Sequence, residues 1–221
     1  NRKKGSYTLT IITVLSIQAF MKISVGGMIA SGKSSLVNRL GKALNLPVME
    51  EFEKNDVVFN TLLEWLYEQK DNVEMLLQIY FIHNHWLNQQ KYQGNFIVDR
   101  DLVEHWLFAQ HNLKHMPTIM NMYNGVFHAY MNQIEKPHLY IILNVDWEHF
   151  KARVMARGRE QEIDNFDKNE TYFRSLLSDY VTKIKAQCSV YDIPYVVIET
   201  SQLTEDEVFE AALDAVKKLN V

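Results

Sequence analysis

The chain has 221 residues, of which 47% are hydrophobic, and this is enough for one α/β domain with a sizeable core. Its formal net charge of −4 argues against general binding to nucleic acids, which requires a broad basic surface. The single cysteine, Cys188, excludes an internal disulfide framework and a cysteine-rich zinc site, and we expect a protein of the reduced cytoplasm in which Cys188 is a small core residue.

Residues 1–20 begin with basic side chains and continue with a largely apolar run, which together resemble a signal or anchor segment. The run is short for a membrane span, and polar residues such as Thr13 and Gln18 interrupt it. We therefore interpret residues 1–20 as a non-native or disordered leader that takes no part in the chemistry, with a weak membrane anchor as the alternative. Residues 21–221 are predicted to fold as a single domain.

Residues 27–34 match the phosphate-binding P-loop pattern G-x-x-x-x-G-K-S. The motif follows an apolar run at residues 21–25 and opens a helical pattern, which is the strand–loop–helix context that it requires. Successive backbone N–H groups of such a loop converge on an anion, and the helix N-terminus adds partial positive charge. Lys33 would reach the outer phosphates of ATP, and the Ser34 hydroxyl would bind Mg²⁺. The predicted ATP-binding residues of the loop are Gly27, Met28, Ile29, Ala30, Ser31, Gly32, Lys33 and Ser34.

The rest of the chain alternates between strand-like and helical patterns. Buried strands are predicted for four more short apolar runs, at residues 46–49, 95–98, 139–145 and 194–198. Helices are predicted between and after them, at residues 57–68, 73–92, 102–112, 118–134, 147–157, 170–191 and 205–219. Buried parallel strands linked by helices indicate a three-layer α/β/α domain around a central parallel five-stranded sheet. The site of such a sheet lies at the carboxyl ends of its strands, so the residues that follow each strand are candidates for function.

Glu50 follows the second predicted strand and is the first candidate for acid–base chemistry. A carboxylate beside a P-loop could accept a proton from an attacking hydroxyl group. The alternative is a solvated acidic turn, because Glu51 and Glu53 lie next to it in the sequence.

Asp99 and Arg100 follow the third predicted strand. The Asp99 carboxylate could hold Mg²⁺ through water, and the Arg100 guanidinium could contact phosphoryl oxygens with two hydrogen bonds. The alternative is a helix-capping aspartate followed by a surface arginine.

Arg153, Arg157 and Arg159 lie close together at the end of a predicted helix, with Gly158 as a hinge. Three neighbouring guanidinium groups are suited to a short Arg-rich lid that closes over a triphosphate and excludes water. The alternative is a basic helix end that interacts favourably with the helix dipole.

These motifs, in this order and spacing, resemble the deoxyribonucleoside kinase family, which contains deoxycytidine, deoxyguanosine and deoxyadenosine kinases. The resemblance runs from Met21 to the C-terminus and includes Gln78, with Tyr67 eleven residues before it. It implies a P-loop kinase domain that uses ATP and Mg²⁺ to phosphorylate the 5′-hydroxyl group of a deoxynucleoside in nucleotide salvage. The implied partners are a deoxynucleoside and ATP, without a nucleic-acid polymer or a membrane.

The resemblance also implies a role for each matching position. Glu50 would be the general base, Arg100 would orient it and contact the phosphate, and Asp99 would lie near Mg²⁺. Tyr67 and Glu162 would hold the 3′-hydroxyl group of the sugar. Two further groups would contact the base and the ATP molecule: Gln78 for the base edge, and Arg153, Arg157 and Arg159 for the phosphates or adenine of ATP.

Four positions depart from the family pattern. His85 stands where many members have an arginine, and His105 where they have an aspartate. Asp101 replaces the usual Ser or Thr, and Glu51 replaces the usual proline. We expect the two imidazoles to line the base pocket and to change their hydrogen bonding with protonation between pH 5 and 8. The alternative is that they are neutral polar residues of the pocket or core.

The helical pattern at residues 118–134 carries more apolar side chains than one core face needs. They are Met120, Met122, Tyr123, Val126, Phe127, Tyr130 and Met131. Because the family is usually dimeric through helices beside the sheet, we expect a homodimer in which this helix forms part of the partner face. Deep burial within the subunit is the alternative.

Two other functions remain open at this point. A nucleoside-monophosphate kinase, such as a thymidylate kinase, shares the P-loop and the lid but needs extra basic residues for the phosphate of its acceptor. A non-catalytic sensor would bind ATP and move its lid without acceptor-dependent release of ADP.

Overall fold

The computed structural model describes residues 21–51, 56–67, 73–158 and 166–220. The predicted leader at residues 1–20 lies outside the described residues. None of the described helices is both long and apolar enough to cross a membrane.

The described strands form one parallel five-stranded sheet, as the sequence predicts. The strands are β1 (Lys22–Gly27), β2 (Val48–Met49), β3 (Phe96–Asp99), β4 (Leu139–Asn144) and β5 (Tyr195–Glu199). Their order is β2-β3-β1-β4-β5, which places the P-loop strand in the centre between β3 and β4. The order of the strands reverses on the two sides of β1, and ligands of open α/β sheets bind at such a point.

The helices of the described chain cover both faces of this sheet. They are α1 (Lys33–Leu44), α2 (Val57–Tyr67), α3 (Val73–Gln89), α4 (Leu102–Asn112), α5 (Pro117–Met131), α6 (Trp147–Arg157), α7 (Phe166–Val190) and α8 (Glu205–Lys217), with a 3-10 turn at Lys218–Asn220. The bounds of α4 and α6 agree with the sequence prediction to the residue, whereas α3 ends three residues earlier than predicted. The predicted three-layer α/β/α architecture is therefore confirmed.

Side-chain alternation along the strands divides the apolar residues into two cores. In β4, Ile141 and Leu143 face a core that contains residues of α1 and α8, while Tyr140 and Ile142 face the larger core of α3, α4, α5, α6 and α7. The predicted core residue Cys188 is fully buried in the larger core, where burial raises the pKa of its thiol to about 12. A thiol in this setting is inert.

The larger core also contains a buried ion pair. The Nζ atom of Lys22 lies 2.8 Å from Oδ2 of Asp101, and both side chains are fully buried. Lys22 Nζ also donates to Gln89 Oε1 and to the Glu135 carbonyl, and the Ser24 hydroxyl donates to Asp101 Oδ2 at 2.7 Å. Burial lowers the pKa of Lys22. Burial also acts to raise the pKa of Asp101, but nearby charges, chiefly that of Lys22, and the hydrogen bonds from Lys22 and Ser24 together hold this pKa at about 2.

This ion pair ties four parts of the chain together. Asp101 occupies the N-cap position of α4 but makes no capping hydrogen bond, because its carboxylate is directed to β1 instead. The contacts of Lys22 add the end of α3 and the segment before β4. The start of α4 is thereby fixed against the central strand.

Four of the seven apolar side chains on which the predicted partner face depends are buried within the subunit. Met120, Tyr123, Phe127 and Met131 are buried, whereas Met122 is 58% exposed. Burial within the subunit is therefore enough to explain why these four side chains are apolar, without a partner face. The homodimer remains a prediction.

Loss of one partner of the buried pair is expected to destabilise the protein more than loss of both. In Lys22→Met, the Asp101 carboxylate remains buried without its cation, and the free energy of unfolding should fall by about 3–5 kcal/mol. In the double variant Lys22→Met/Asp101→Leu no buried charge remains, so the loss should be much smaller. Urea unfolding followed by circular dichroism measures both, and a double variant as unstable as Lys22→Met would contradict this expectation.

Candidate active site

The P-loop connects β1 to α1 at the carboxyl edge of the sheet. Its two motif glycines are required for different reasons. A Cβ atom on Gly27 would collide with the Ser31 side chain and lie 3.1 Å from Leu143 Cβ, whereas Gly32 has φ 90 in the left-handed region. The loop is therefore held tightly against the sheet before the helix begins at Lys33.

The two polar residues of the motif are positioned by their neighbours. Lys33 is buried, and its Nζ donates to the Met28 carbonyl at 3.2 Å. Burial, followed by the charge of Arg100, lowers the pKa of Lys33 to about 8. The Ser34 hydroxyl donates to Asp99 Oδ2 at 2.6 Å, which joins the P-loop to the end of β3.

Ser34 and Asp99 fit the oxygen ligands that Mg²⁺ prefers. The other carboxylate oxygen of Asp99, Oδ1, is buried and has no hydrogen-bond partner in the described part of the chain. Mg²⁺ is usually bound by one or two carboxylates together with water and substrate phosphates, so these two side chains are sufficient on the protein side. The described residues contain no group of three or more His, Cys, Asp and Glu side chains that could hold a metal ion by themselves.

A cavity of about 450 Å³ joins the P-loop to the ends of β2 and β3. Its lining residues are Ile29, Lys33, Ser34, Val37, Asn38, Val48, Glu50, Glu51, Asp99, Arg100 and Arg157. The structure thus brings the predicted site residues Glu50, Asp99, Arg100 and Arg157 to one cavity with the P-loop. Carboxylates, a guanidinium and a phosphate-binding loop face the same space.

Arg100 lies buried between two carboxylates at this cavity. Its Nε atom is 2.6 Å from Glu51 Oε1, and its Nη1 atom contacts Glu104 Oε1. Burial opposes the charge of the guanidinium, but Glu104 and Glu51 raise the pKa of Arg100 above its ordinary value, so it is always charged. The family resemblance implies that Arg100 orients Glu50, but it is Glu51 that contacts the guanidinium, while Glu50 is exposed in the same cavity.

Glu104 is a residue of this site that the sequence analysis missed. It is fully buried, in contact with Arg100, and within 3.4 Å of both the Gly27 N–H and the Tyr140 hydroxyl. Burial raises the pKa of its carboxyl group, and Arg100 and Lys33 oppose this shift. The available signal was a glutamate on the apolar face of α4, next to Val103, where an unpaired charge would be costly.

The lid arginines Arg153 and Arg157 both lie at the P-loop, where they line one shared cavity of about 490 Å³. Arg153 donates from Nη1 to Thr200 Oγ1 at 2.9 Å and from Nη2 to the Thr200 carbonyl at 2.7 Å. It lines a second cavity of about 220 Å³ with P-loop residues, whereas Arg157 lines the main cavity. Gly158 ends α6 with φ 71, the left-handed conformation common at a helix C-terminus, and its role as a hinge stays a prediction.

His85 and His105 are brought together, as the sequence predicts. Their ring centroids are 5.8 Å apart at 74°, and His105 also stacks on Phe81 at 5.5 Å. Burial lowers the pKa of both histidines to about 3, so both are neutral between pH 5 and 8. The expected change of protonation in this range is therefore wrong, because burial disfavours the imidazolium ion.

Gln78 lies two turns before His85 on the same face of α3. Gln78 Oε1 and His85 Nε2 are buried without a hydrogen-bond partner among the described residues. These side chains and His105 lie outside the lining of the main cavity. Of the other predicted sugar and ATP contacts, Tyr67 ends α2 with its side chain outside the description, and Arg159 and Glu162 lie outside the described residues.

Known proteins resemble this chain along most of its length. The family model for deoxynucleoside kinases matches residues 23–220. An uncharacterized protein of Mycoplasma pneumoniae is 35% identical over 209 residues, which cover 90% of each chain. A deoxyguanosine kinase of Lactobacillus johnsonii is 29% identical over 170 residues, or 72% of this chain and 74% of the relative. The solved structure of a deoxyadenosine kinase from M. mycoides with the products dCMP and a flexible dCDP bound has a TM-score of 0.72 at 26% identity, covering 90% of this chain and 100% of that chain.

The two buried histidines should make stability depend on pH. The pKa of an unfolded histidine is 6.5, and in the fold it is about 3. Between these values the unfolded state binds more protons, so the free energy of unfolding should fall as the pH decreases. The expected loss is about 2 kcal/mol per histidine between pH 7.5 and pH 5. His85→Gln/His105→Gln should show a shallower dependence in urea unfolding at these pH values, and parallel dependences would contradict the neutral buried pair.

Proposed function

Because this chain belongs to the deoxynucleoside kinase family, we propose that it transfers the γ-phosphoryl group of ATP to the 5′-hydroxyl group of a deoxynucleoside. The observation that carries the proposal is the main cavity, in which the P-loop, the Ser34–Asp99 contact, Arg100 and two glutamates face one another. Phosphoryl transfer needs phosphate-binding groups for the donor next to a carboxylate that can accept the proton of the hydroxyl acceptor.

The donor side of the reaction is assigned to the P-loop and the lid. Backbone N–H groups of the loop and Lys33 would bind the phosphates, and Ser34 with Asp99 would hold Mg²⁺. When bound, Mg²⁺ supplies positive charge that neutralises the phosphate oxygens. Arg153 and Arg157 would contact the donor from the cavity that they share on the P-loop, where they would exclude water from the transferred group.

The proton of the acceptor hydroxyl group is assigned to Glu50. No described residue forms an ion pair with Glu50, and its exposed carboxylate is available in the cavity. Glu51, by contrast, is engaged by the guanidinium of Arg100 at 2.6 Å. Glu50 is therefore the better placed general base, and Arg100, held by Glu51, would orient the phosphoryl group that the acceptor hydroxyl attacks.

Binding of the acceptor's nucleobase is assigned to Gln78 and the two histidines. A carboxamide presents a donor and an acceptor side by side, which match the edge of cytosine or, after rotation, of adenine. The buried Gln78 Oε1 and His85 Nε2 have no partner among the described residues, as expected of atoms that bind a ligand. Neutral His85 would offer its Nε2 atom to the same base, with the ring of His105 5.8 Å away.

The charges of the cavity favour a nucleoside over a nucleoside monophosphate as acceptor. Its described cations are Lys33, Arg100 and Arg157. Lys33 and Arg157 are assigned to the donor, and Arg100 is already paired with two carboxylates. A phosphate on the acceptor would therefore approach Glu50 and Glu51 without a cation of its own.

Release of ADP in the presence of different acceptors tests this function. With ATP and Mg²⁺ we expect ADP release that depends on one or more of the four deoxynucleosides and not on their monophosphates. Dependence on a monophosphate would support the thymidylate-type alternative, and binding of ATP without any acceptor-dependent release would support the sensor.

Replacing Glu50 and Glu51 one at a time shows which of them is the general base. Glu50→Gln should bind the deoxynucleoside almost normally but lose about 100-fold or more in kcat, because the proton acceptor is gone. Glu51→Gln is the matched variant and should retain the proton acceptor, with a smaller loss. Steady-state kinetics and calorimetric binding measure both, and near-normal turnover of Glu50→Gln with a large loss in Glu51→Gln would transfer the role to Glu51.

A further inference from the structure

Glu104 has no part in the roles assigned above, although its carboxylate lies between the two halves of the site. Its Oε1 contacts Arg100 Nη1 and accepts a hydrogen bond from the Gly27 N–H at 3.4 Å. Its Oε2 accepts from the Tyr140 hydroxyl at 3.4 Å, and a Cβ atom on Gly26 would come within 3.0 Å of the same oxygen. One buried side chain therefore contacts the first glycine of the P-loop and the arginine at the acceptor side.

We propose that Glu104 is a positioning residue that holds the guanidinium of Arg100 at a fixed place relative to the P-loop during phosphoryl transfer. The inference rests on the proposed function, because that function assigns the phosphoryl group to Arg100.

The surroundings of Arg100 show why a buried anchor is needed. Its backbone is left-handed, with φ 67, and its N–H donates to the Val25 carbonyl at 3.0 Å, so the chain is fixed where the side chain begins. The side chain itself is long and flexible, and Glu51, which is 24% exposed, attracts the guanidinium towards the cavity. Glu104 opposes this attraction from the interior, and the ring of Phe108 lies 4.7 Å from the guanidinium carbon.

The two carboxylates therefore have different consequences for Arg100. The contact with Glu51 lies at the cavity, where an incoming phosphoryl oxygen can compete for the guanidinium. The contact with Glu104 lies in the protein interior, where the side chain of Glu104 is fully buried and its charge is matched by Arg100. A phosphoryl oxygen can then replace Glu51 at the guanidinium while Glu104 keeps the guanidinium at a fixed distance from the Gly27 N–H.

A double-mutant cycle tests whether Glu104 acts through Arg100. The proteins are the wild type, Glu104→Gln, Arg100→Met and the double variant, and the measurements are calorimetric affinity for a non-hydrolysable ATP analogue with Mg²⁺ and kcat with a deoxynucleoside. Glu104→Gln should lower kcat by about 100-fold, as a displaced catalytic group does. When Arg100 is already replaced by methionine, Glu104→Gln should lower kcat and the affinity for the analogue only slightly further. If the fold-losses of the two single variants instead multiply in the double variant, the proposal is overturned.

Asp101→Asn is the matched control for removal of a buried carboxylate. Asp101 lies at the start of the same helix but pairs with Lys22, so the variant should lower the melting temperature without lowering the affinity for the analogue. A loss of affinity for the analogue in Asp101→Asn as large as that in Glu104→Gln would show that the loss of any buried charge weakens binding. It would overturn the specific role of Glu104. If Glu104→Gln does not fold, Glu104→Asp, which retains the charge but withdraws the carboxylate, takes its place in the cycle with the same expected outcome.

The cycle also separates this inference from the proposed function. If the wild type releases no ADP with any deoxynucleoside, the proposed function fails, and the affinity for the ATP analogue alone decides on Glu104. A non-additive loss of affinity would still support the coupling to Arg100, and an additive loss would overturn it.

Discussion

Two cations, Lys22 and Arg100, are buried on the same face of the sheet, and each requires a carboxylate within contact distance. Both carboxylates come from the start of α4, where Asp101 pairs with Lys22 and Glu104 pairs with Arg100. The Lys22–Asp101 pair attaches the start of α4 to the central strand, and the Arg100–Glu104 contact holds the guanidinium in the turn between β3 and α4. The site at the edge of the sheet depends on this short turn, because it joins the P-loop through the Ser34–Asp99 hydrogen bond.

The same turn connects the two sides of the proposed reaction. Asp99 contacts the P-loop serine at the proposed metal site, Arg100 lines the cavity proposed for the transferred group, and His105 lies beside His85 in the region assigned to the nucleobase. A displacement of α4 would therefore affect donor, acceptor and base together. In the proposed function, the P-loop and the sheet provide a frame, and the polar side chains at residues 99–105 would adapt this frame to a particular acceptor.

Burial also decides the chemical state of these groups. His85 and His105 are neutral because the core disfavours their charged forms, and Arg100 is permanently charged because two carboxylates surround it. A neutral imidazole pair can donate and accept hydrogen bonds without bringing a charge to the base. The contrast between a neutral base region and a strongly charged phosphate region follows from their different partners.

The sequence by itself determined the strands and helices, the P-loop, and the placement of Asp99 and Arg100 at the end of a buried strand, because these follow from local periodicity, motif spacing and parallel-sheet topology. It did not reveal that Glu51 contacts Arg100 or that Glu104 lies beneath it, because neighbouring glutamates look alike until the backbone directs each one. The neutral state of the histidines was equally hidden, since a pKa depends on burial and on charges brought from other elements. Only the tertiary structure decided these features, because each of them depends on groups that are distant in sequence and packed together in space.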